Sequence, residues 1–243
     1  MRFEWRVEGP AEQCGATCRT WISAVGIITD DTARAFESFA RGKNVRGARL
    51  VLDSEGGSVL SAMALGRTIR NFDMTTTVGR TEPLPEDGSG VLRAVITPDA
   101  SCESMCAFVL LAGTRRYVPN QARVLVHQIW LGAKSKRARE TSYTADELRL
   151  VQRDVGKLVR YTAEMGGGME LIETALQVPP WEPMHRLTAD ELRRMKMTTV
   201  DHLFAQDVPG PSVAATTPNV TGTTTQGQRH ATPRPSGRNL RAP

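Results

Sequence analysis

Short apolar runs alternate with amphipathic stretches along most of the chain. The runs at residues 20–25, 49–52, 75–78 and 124–126 have the length and composition of buried strands. Between them, apolar side chains recur at the three- and four-residue spacing of a single helical face. The clearest series comprises Val59, Leu60, Met63, Ala64, Ile69 and Phe72. Strands that alternate with helices predict an α/β fold with a mostly parallel sheet.

Threonine and acidic residues predict where three helices begin. The predicted starts are Thr29 with Asp30, Thr144 with Glu147, and Thr188 with Glu191, the last two as capping boxes. The glycines at 166–168 end the second of these helices, and a strand-like segment at 198–204 follows the third.

Two segments depart from this alternation. Residues 81–100 are rich in proline, glycine and acidic side chains, which predicts an inserted loop with one strand at 91–96. Residues 209–243 consist mainly of Thr, Pro, Gly, Ser and Arg, with too few apolar side chains to bury a core. That composition predicts a disordered tail. Residues 1–208 are therefore expected to form the folded domain.

Charge and composition narrow the classes of partner. The 243-residue chain has a formal net charge of +5, but part of it lies in the tail, at Arg229, Arg234, Arg238 and Arg241. Aromatic residues make up only 5% of the chain and do not interleave with a basic stripe, so nucleic acid is not expected as a partner. No apolar run reaches the length of a membrane span, so no transmembrane segment is expected.

Four cysteines form two pairs with identical spacing, Cys14 with Cys18 and Cys102 with Cys106. The repeated spacing favours disulfides and an oxidising compartment, although three connectivities stay open and buried thiols are the alternative. The spacing is not that of a zinc knuckle, so no metal site is expected. Residues 1–13 contain no apolar signal core. We expect a periplasmic or secreted protein, with a cytoplasmic location as the alternative.

Three segments carry candidate chemistry for acyl transfer. Gly56 and Gly57 stand between a predicted strand and a helix, where backbone N–H groups can approach an oxyanion. Ser104 precedes an apolar helix at 105–111, where a hydroxyl can act as a nucleophile. His127 ends an apolar strand and titrates near neutrality, as suits a general base. The ordinary alternatives are a glycine turn, a helix N-cap and a structural histidine.

These segments resemble the proteolytic subunit of the Clp protease, ClpP. LDSEGGSVLSAMALGRTI is similar to the segment in which a strand of that family ends in Ser-Pro-Gly-Gly before a helix. CESMCAFVLLAG resembles its Ala-Ser-Met-Gly-Ala-Phe nucleophile segment, and RVLVHQ resembles its Ile-His-Gln base segment. The resemblance covers residues 48–128 and extends more faintly to residue 200. The cysteine pairs and the insertion look closer to predicted secreted or periplasmic ClpP-like proteins than to cytosolic ClpP.

The resemblance implies a serine peptidase on a ClpP/crotonase-like spiral of ββα units, acting on peptide or protein substrates without a cofactor. By the same resemblance, Ser104 is the nucleophile and His127 is the base. The backbone N–H groups of Gly57 and Met105 would form the oxyanion hole. A homo-oligomer is also implied, because the family usually assembles into rings.

One departure concerns the third catalytic residue. The family's aspartate aligns near Met184, where no carboxylate stands, and the nearest one is Glu182. Glu182 is therefore the candidate acid, with a Ser-His dyad or His185 as alternatives. Loss of the acid would leave a slow hydrolase, or a catalytically impaired ClpP-like protein that serves as a binding or scaffold protein. A third hypothesis is a crotonase-type acyl-CoA enzyme. The sequence shows no adenine-nucleotide signature that would support it.

Overall fold

The structure is a computed structural model that describes residues 1–129, 131 and 142–204. Its strands are β1 (Arg2–Glu8), β2 (Thr20–Val25), β3 (Arg49–Asp53), β4 (Thr75–Val78), β5 (Arg80–Pro83), β6 (Arg93–Thr97), β7 (Ser101–Glu103), β8 (Arg115–Tyr117), β9 (Arg123–Val126) and β10 (His185–Arg186). Its helices are α1 (Ala11–Cys14), α2 (Thr32–Ala40), α3 (Val59–Asn71), α4 (Met105–Leu111), α5 (Ala145–Glu164), α6 (Glu170–Leu176) and α7 (Ala189–Arg194).

The larger sheet is mixed and mostly parallel. Its strand order is β5-β6-β1-β2-β3-β4-β8. Strands β2, β3, β4 and β8 run parallel, whereas β1 is antiparallel to β2 and β5 is antiparallel to β6. The central strands β3 and β4 are buried almost throughout, which explains their continuous apolar or threonine-rich runs. The chain therefore has the α/β architecture that the sequence predicts.

The smaller sheet has the order β10-β9-β7 and is joined to the larger one by backbone pairing. Strand β7 runs parallel to β9, and β10 runs antiparallel to β9. Ser54, directly after β3, donates its N–H to the Ser101 carbonyl at 2.9 Å and accepts the Glu103 N–H at 2.9 Å. The C-terminal ends of β3, β7 and β9 consequently lie side by side.

Helix α4 is a core helix with no exposed face. All seven of its residues are buried, in line with its uniformly apolar sequence. The fully buried Tyr161 of α5 donates its hydroxyl to the Phe108 carbonyl of α4 at 2.9 Å. Gly66 of α3 leaves the space that this tyrosine occupies, because a Cβ at residue 66 would overlap the tyrosine hydroxyl.

Two arginines neutralise the C-terminal end of α4. Arg70 donates from Nε to the Ala112 carbonyl at 2.7 Å, and Arg116 donates from Nη1 to the Gly113 carbonyl at 2.8 Å. Both arginines also donate to the carbonyl of Leu111 at 3.2 Å, one of the carbonyls that the helix end leaves without intrahelical donors. Positive charge there also suits the helix dipole. Packing and charge thus fix α4, the helix that follows Ser104 directly.

Most elements predicted from the sequence are confirmed. The four apolar strands are present as β2, β3, β4 and β9. The capping boxes of Thr144 with Glu147 and of Thr188 with Glu191 both form, with side-chain and backbone bonds in each.

Three predictions were wrong in detail. Helix α2 begins at Thr32 with Asp31 as its N-cap, so Thr29 and Asp30 do not cap it. The segment 198–204 is not a strand. In the segment 81–100, β6 confirms the strand predicted at 91–96, but β5, which pairs with it as an antiparallel ladder at the edge of the larger sheet, was not predicted. Strand β1 was not predicted at all.

Within the described ranges, no helix is both long enough and apolar enough to cross a bilayer. In the same ranges, no three His, Cys, Asp or Glu side chains are grouped as a metal site would require. The tail predicted to be disordered, 209–243, lies outside the described residues.

The contact between α3 and α5 predicts opposite outcomes for two glycine substitutions. Gly66→Ala should lower the free energy of unfolding by about 1–2 kcal/mol, because overpacking against Tyr161 outweighs the gain in helix propensity. Gly156→Ala on α5, where a Cβ meets open space, should raise it by about 0.5–1 kcal/mol. Urea denaturation measures both. Adding Tyr161→Phe to Gly66→Ala should recover part of the loss, and a purely additive double variant would contradict this packing.

Candidate active site

The ends of four neighbouring parallel strands bring the predicted site residues into one row. Ile28, beyond β2, pairs with Gly57, beyond β3, through a parallel bridge. Ser104 follows β7 directly, and His127 follows β9 directly. Because β3, β7 and β9 are adjacent, the lateral order is the glycine turn, the serine and the histidine. Ser104 thus lies between a turn that can supply backbone donors and a side chain that can accept a proton.

Ser104 has a backbone conformation that residues other than glycine seldom adopt. Its φ is 53° and its ψ is −120°. Its N–H donates to the Leu125 carbonyl at 2.8 Å, and its own carbonyl accepts the Ala107 N–H at 3.0 Å. Although Ser104 stands at the N-cap of α4, its hydroxyl makes no capping bond, so the N-cap alternative does not describe it. A strained serine between a strand and a helix is typical of nucleophile turns.

Two backbone N–H groups beside Ser104, those of Gly57 and Met105, have no acceptor among the described residues. Met105 is the first residue of α4, so no intrahelical carbonyl is available to its N–H. Gly56 packs the turn against the nucleophile segment. A Cβ at Gly56 would lie 2.5 Å from the Glu103 carbonyl oxygen and 2.9 Å from both the Met105 nitrogen and the Ser104 Cβ. Two unpaired donors flanking a nucleophile suit an oxyanion hole.

His127 lies one strand away from Ser104. Glu103 and Leu125 are the last paired residues of β7 and β9. Ser104 is the first residue beyond this pair on its strand, and His127 is the second residue beyond it on the neighbouring strand. In the described part of the chain, no hydrogen bond joins the Ser104 hydroxyl to the His127 ring. Catalytic hydrogen bonds are often long without substrate and tighten when it binds, so this geometry is compatible with a nucleophile–base pair.

The His127 ring is half-buried against an apolar wall. Phe108, Val155, Leu158 and Ile172 are among the residues that line this wall. Burial lowers the pKa of His127, and the negative charge of Glu103 opposes this by raising it. The neutral imidazole, which is the form that can accept a proton, therefore persists to lower pH than in a solvated histidine.

The structure does not bring Glu182 to His127. Glu182 is exposed in the turn between α6 and β10, where its N–H donates to the Pro179 carbonyl at 3.0 Å. No hydrogen bond or ion pair between described residues joins its carboxylate to the histidine. The other alternative, His185, bonds through Nε2 to Glu191 at 2.9 Å, within the second capping box.

Met184 occupies the position beside His127. His185 pairs with Val126 in the antiparallel register of β10 and β9, which places Met184 opposite His127. The resemblance to ClpP leads one to expect an aspartate near this residue. A thioether is only a weak acceptor and carries no charge, so it cannot orient an imidazole as a carboxylate does.

Sequence analysis missed one carboxylate, that of Glu103. Burial alternates along β7, so that Cys102 faces the core while Ser101 and Glu103 share the other face with Leu125 and His127. Diagonal neighbours on one face of a sheet are within reach of long side chains. The Ser101 hydroxyl donates to Glu103 Oε1 at 3.0 Å. The alternation of buried and less buried residues along β7 indicates the face on which Glu103 lies. Only the pairing register of β7 with β9 shows that His127 lies on the same face.

The cysteines form two disulfides, Cys14–Cys18 and Cys102–Cys106, each with a sequence separation of four. Of the three possible connectivities, the structure therefore has the one in which each cysteine pairs with its neighbour in sequence, and the four cysteines are not free thiols. Cys14 and Cys18 are half-buried, whereas Cys102 and Cys106 are fully buried. The buried disulfide encloses Ser104 in its loop.

Two cavities in the described part of the chain lie away from Ser104. One of about 910 Å³ is lined by residues around β10 and α7, and one of about 490 Å³ lies beside Trp21. Neither is lined by Ser104 or His127.

No protein-family model matches the sequence, and no curated protein shows significant similarity to it.

The close packing of Gly56 predicts that this residue is needed for the geometry of the serine. Gly56→Ala should reduce any reaction of Ser104 by about 100-fold or more, because the new methyl must displace the Ser104–Met105 backbone and because φ is +83°. Labelling of Ser104 by a fluorophosphonate measures the effect. Gly42→Ala is the control, since Gly42 also has positive φ, at +74°, but open space around it. Equal labelling of the two variants would contradict the assigned role.

Proposed function

We propose that this protein is a serine hydrolase, most simply a peptidase, with Ser104 as nucleophile and His127 as general base. The observation that carries the proposal is the row formed by two unpaired N–H groups, a strained serine free of a capping bond, and a half-buried histidine. Acyl transfer requires these three functions next to one another. The resemblance to ClpP and to its spiral of ββα units supports the proposal from the sequence side.

The proposed reaction divides peptide hydrolysis into two steps. Ser104 Oγ attacks the scissile carbonyl carbon while its proton passes to His127. The N–H groups of Gly57 and Met105 donate to the resulting oxyanion. The C–N bond then breaks, and His127 returns the proton to the leaving amine. Water attacks the acyl-enzyme with His127 again as base, which releases the carboxylate product and restores the Ser104 hydroxyl.

The proposed setting is an oxidising compartment, periplasmic or extracellular, because two disulfides persist most readily there. A peptide or protein substrate and assembly into a homo-oligomer are parts of the same proposal, and both rest on the ClpP resemblance. Nothing in the proposed chemistry calls for a cofactor.

A specific observation favours a second candidate, a binding protein with an inactive site. Met184 occupies the position beside His127 where the resemblance expects an aspartate. Loss of the orienting acid from a serine protease triad costs about 10⁴ in rate. Under this candidate Ser104 would be unreactive in the folded wild-type protein.

Labelling by a fluorophosphonate separates these candidates. The Ser104 oxygen should form a bond to phosphorus as fluoride leaves, and peptide mass spectrometry should place the adduct on Ser104. Ser104→Ala should abolish labelling, and His127→Ala should slow it by about 10²–10⁴-fold. Ser89→Ala, in the exposed connection between β5 and β6, should label as the wild type does. A folded wild type that does not label would reject the hydrolase and favour the binding protein.

The pH dependence of labelling tests which carboxylate supports His127. Labelling needs the neutral imidazole, so the rate should rise with pH and level off above a midpoint that lies below the ordinary pKa of histidine, because burial lowers the pKa of His127. Glu103→Gln removes a charge that raises this pKa, so the midpoint should move to lower pH. The plateau rate should fall about tenfold, since the charge no longer stabilises the imidazolium.

Glu182→Gln is the matched comparison, because it neutralises the exposed carboxylate that the sequence alone favours. We expect its midpoint and plateau to equal those of the wild type. A shift in Glu182→Gln without one in Glu103→Gln would reverse the assignment and make Glu182 the supporting acid.

A further inference from the structure

We propose that the Cys102–Cys106 disulfide is a positioning element for Ser104, holding the nucleophile in its reactive conformation. This inference rests on the hydrolase function proposed above. The disulfide closes the loop 102–106, and Ser104 stands at the centre of that loop, two residues from each cysteine.

The disulfide ties together the two elements on either side of the strained residue. Cys102 is the middle residue of β7, and Cys106 is the second residue of α4. Between them, Ser104 holds a φ of 53°, which costs free energy for a residue with a side chain. Such a residue relaxes unless its surroundings hold it. A covalent bond across the turn removes most of the routes by which it could relax.

Packing alone accounts for the position of α4 but not for the turn that precedes it. Every residue of α4 is buried, and two arginines hold its C-terminal end. The helix would therefore stay in the core without the disulfide. The Ser104 hydroxyl, by contrast, makes no hydrogen bond to another described residue. Its direction depends on the backbone torsions of residues 103–105, which lie inside the disulfide loop.

Burial distinguishes this disulfide from a redox switch. Cys102 and Cys106 are both fully buried, so a reductant reaches their sulfur atoms only when the protein opens. Cys14 and Cys18 of the other disulfide are only half-buried. The structure thus fits a permanent brace at the nucleophile better than a bond that is made and broken during regulation.

The second disulfide supplies a control for stability. Both disulfides close loops of equal length, so the chain-entropy model assigns them similar stabilisation. The two disulfides differ in their distance from the nucleophile. A comparison of Cys102→Ala/Cys106→Ala with Cys14→Ala/Cys18→Ala therefore separates positioning from general stabilisation.

The experiment measures fluorophosphonate labelling over a range of probe concentrations, well below the melting temperature of each variant. Both double variants should lose roughly 4–8 °C in Tm. In Cys102→Ala/Cys106→Ala the maximal labelling rate should fall about 10- to 100-fold, because the oxygen leaves its attack position. The half-saturating probe concentration should stay within about twofold, since the probe-binding surface is unchanged. Cys14→Ala/Cys18→Ala should retain the wild-type values of both kinetic constants.

A second measurement keeps every native atom near the site. The Cys14→Ala/Cys18→Ala protein is refolded with its remaining thiols reduced and is then treated with glutathione disulfide. This oxidant accepts the two electrons and two protons released by Cys102 and Cys106 and becomes two molecules of glutathione. Labelling should be slow before oxidation and recover after it. This measurement decides the question if the Cys102→Ala/Cys106→Ala variant does not fold.

The outcomes separate this inference from the function on which it rests. A folded wild type that never labels rejects the hydrolase. A wild type that labels, together with unchanged labelling of Cys102→Ala/Cys106→Ala or of the reduced protein, overturns the positioning role alone. An equal loss of rate in both double variants also overturns it, because the effect would then reflect stability.

Discussion

The arrangement of the site depends on Ser54, which joins three strands at the point where they end. Ser54 is buried at 3% exposure. Its main chain pairs with Ser101 and Glu103 of β7, and its hydroxyl donates to the Gly26 carbonyl at 2.7 Å and accepts the Gly56 N–H at 3.2 Å. Buried polar groups are costly unless they are paired, so this set of bonds tolerates little displacement. These bonds fix the turn at Gly56 and Gly57 relative to β7, the strand that Ser104 follows. Through β7 they also position the smaller sheet.

The sequence was sufficient for elements whose pattern is local. Apolar runs and capping boxes predicted the central strands and the long helices, and the same logic placed Ser104 and His127 just beyond apolar segments. Elements set by tertiary pairing were missed. Strand β1 was missed for a different reason: its charges alternate with Phe3, Trp5 and Val7, which is the local pattern of a half-buried strand, and that signal was overlooked. The segment 198–204 has strand-forming residues, but its N–H groups at residues 199 and 200 converge on the Arg116 carbonyl, which leaves no room for a ladder.

The third residue of the site shows why register matters more than proximity in sequence. Glu182 is two residues from the expected position, yet strand pairing puts Met184 opposite His127 and leaves Glu182 in an exposed turn. Glu103 is 24 positions away from the histidine in sequence, but it shares its face across β7 and β9. A one-residue change of register would move Glu103 to the core face, where its charge could not be accommodated. Its location is therefore tied to the same pairing that places Ser104.

Among the described residues no carboxylate is bonded to His127, and the burial of its ring is consistent with that. A triad acid holds the imidazole and stabilises the imidazolium, at the cost of raising the pKa of the base. Here the apolar wall lowers that pKa, so the ring stays neutral to lower pH, and the charge of Glu103 is what the described residues offer to an imidazolium formed in the proposed attack. Such a base is available over a wide pH range and contributes less to each proton transfer. In the proposed hydrolase, more of the rate would then come from the geometry of Ser104, which lies inside the loop closed by the buried disulfide.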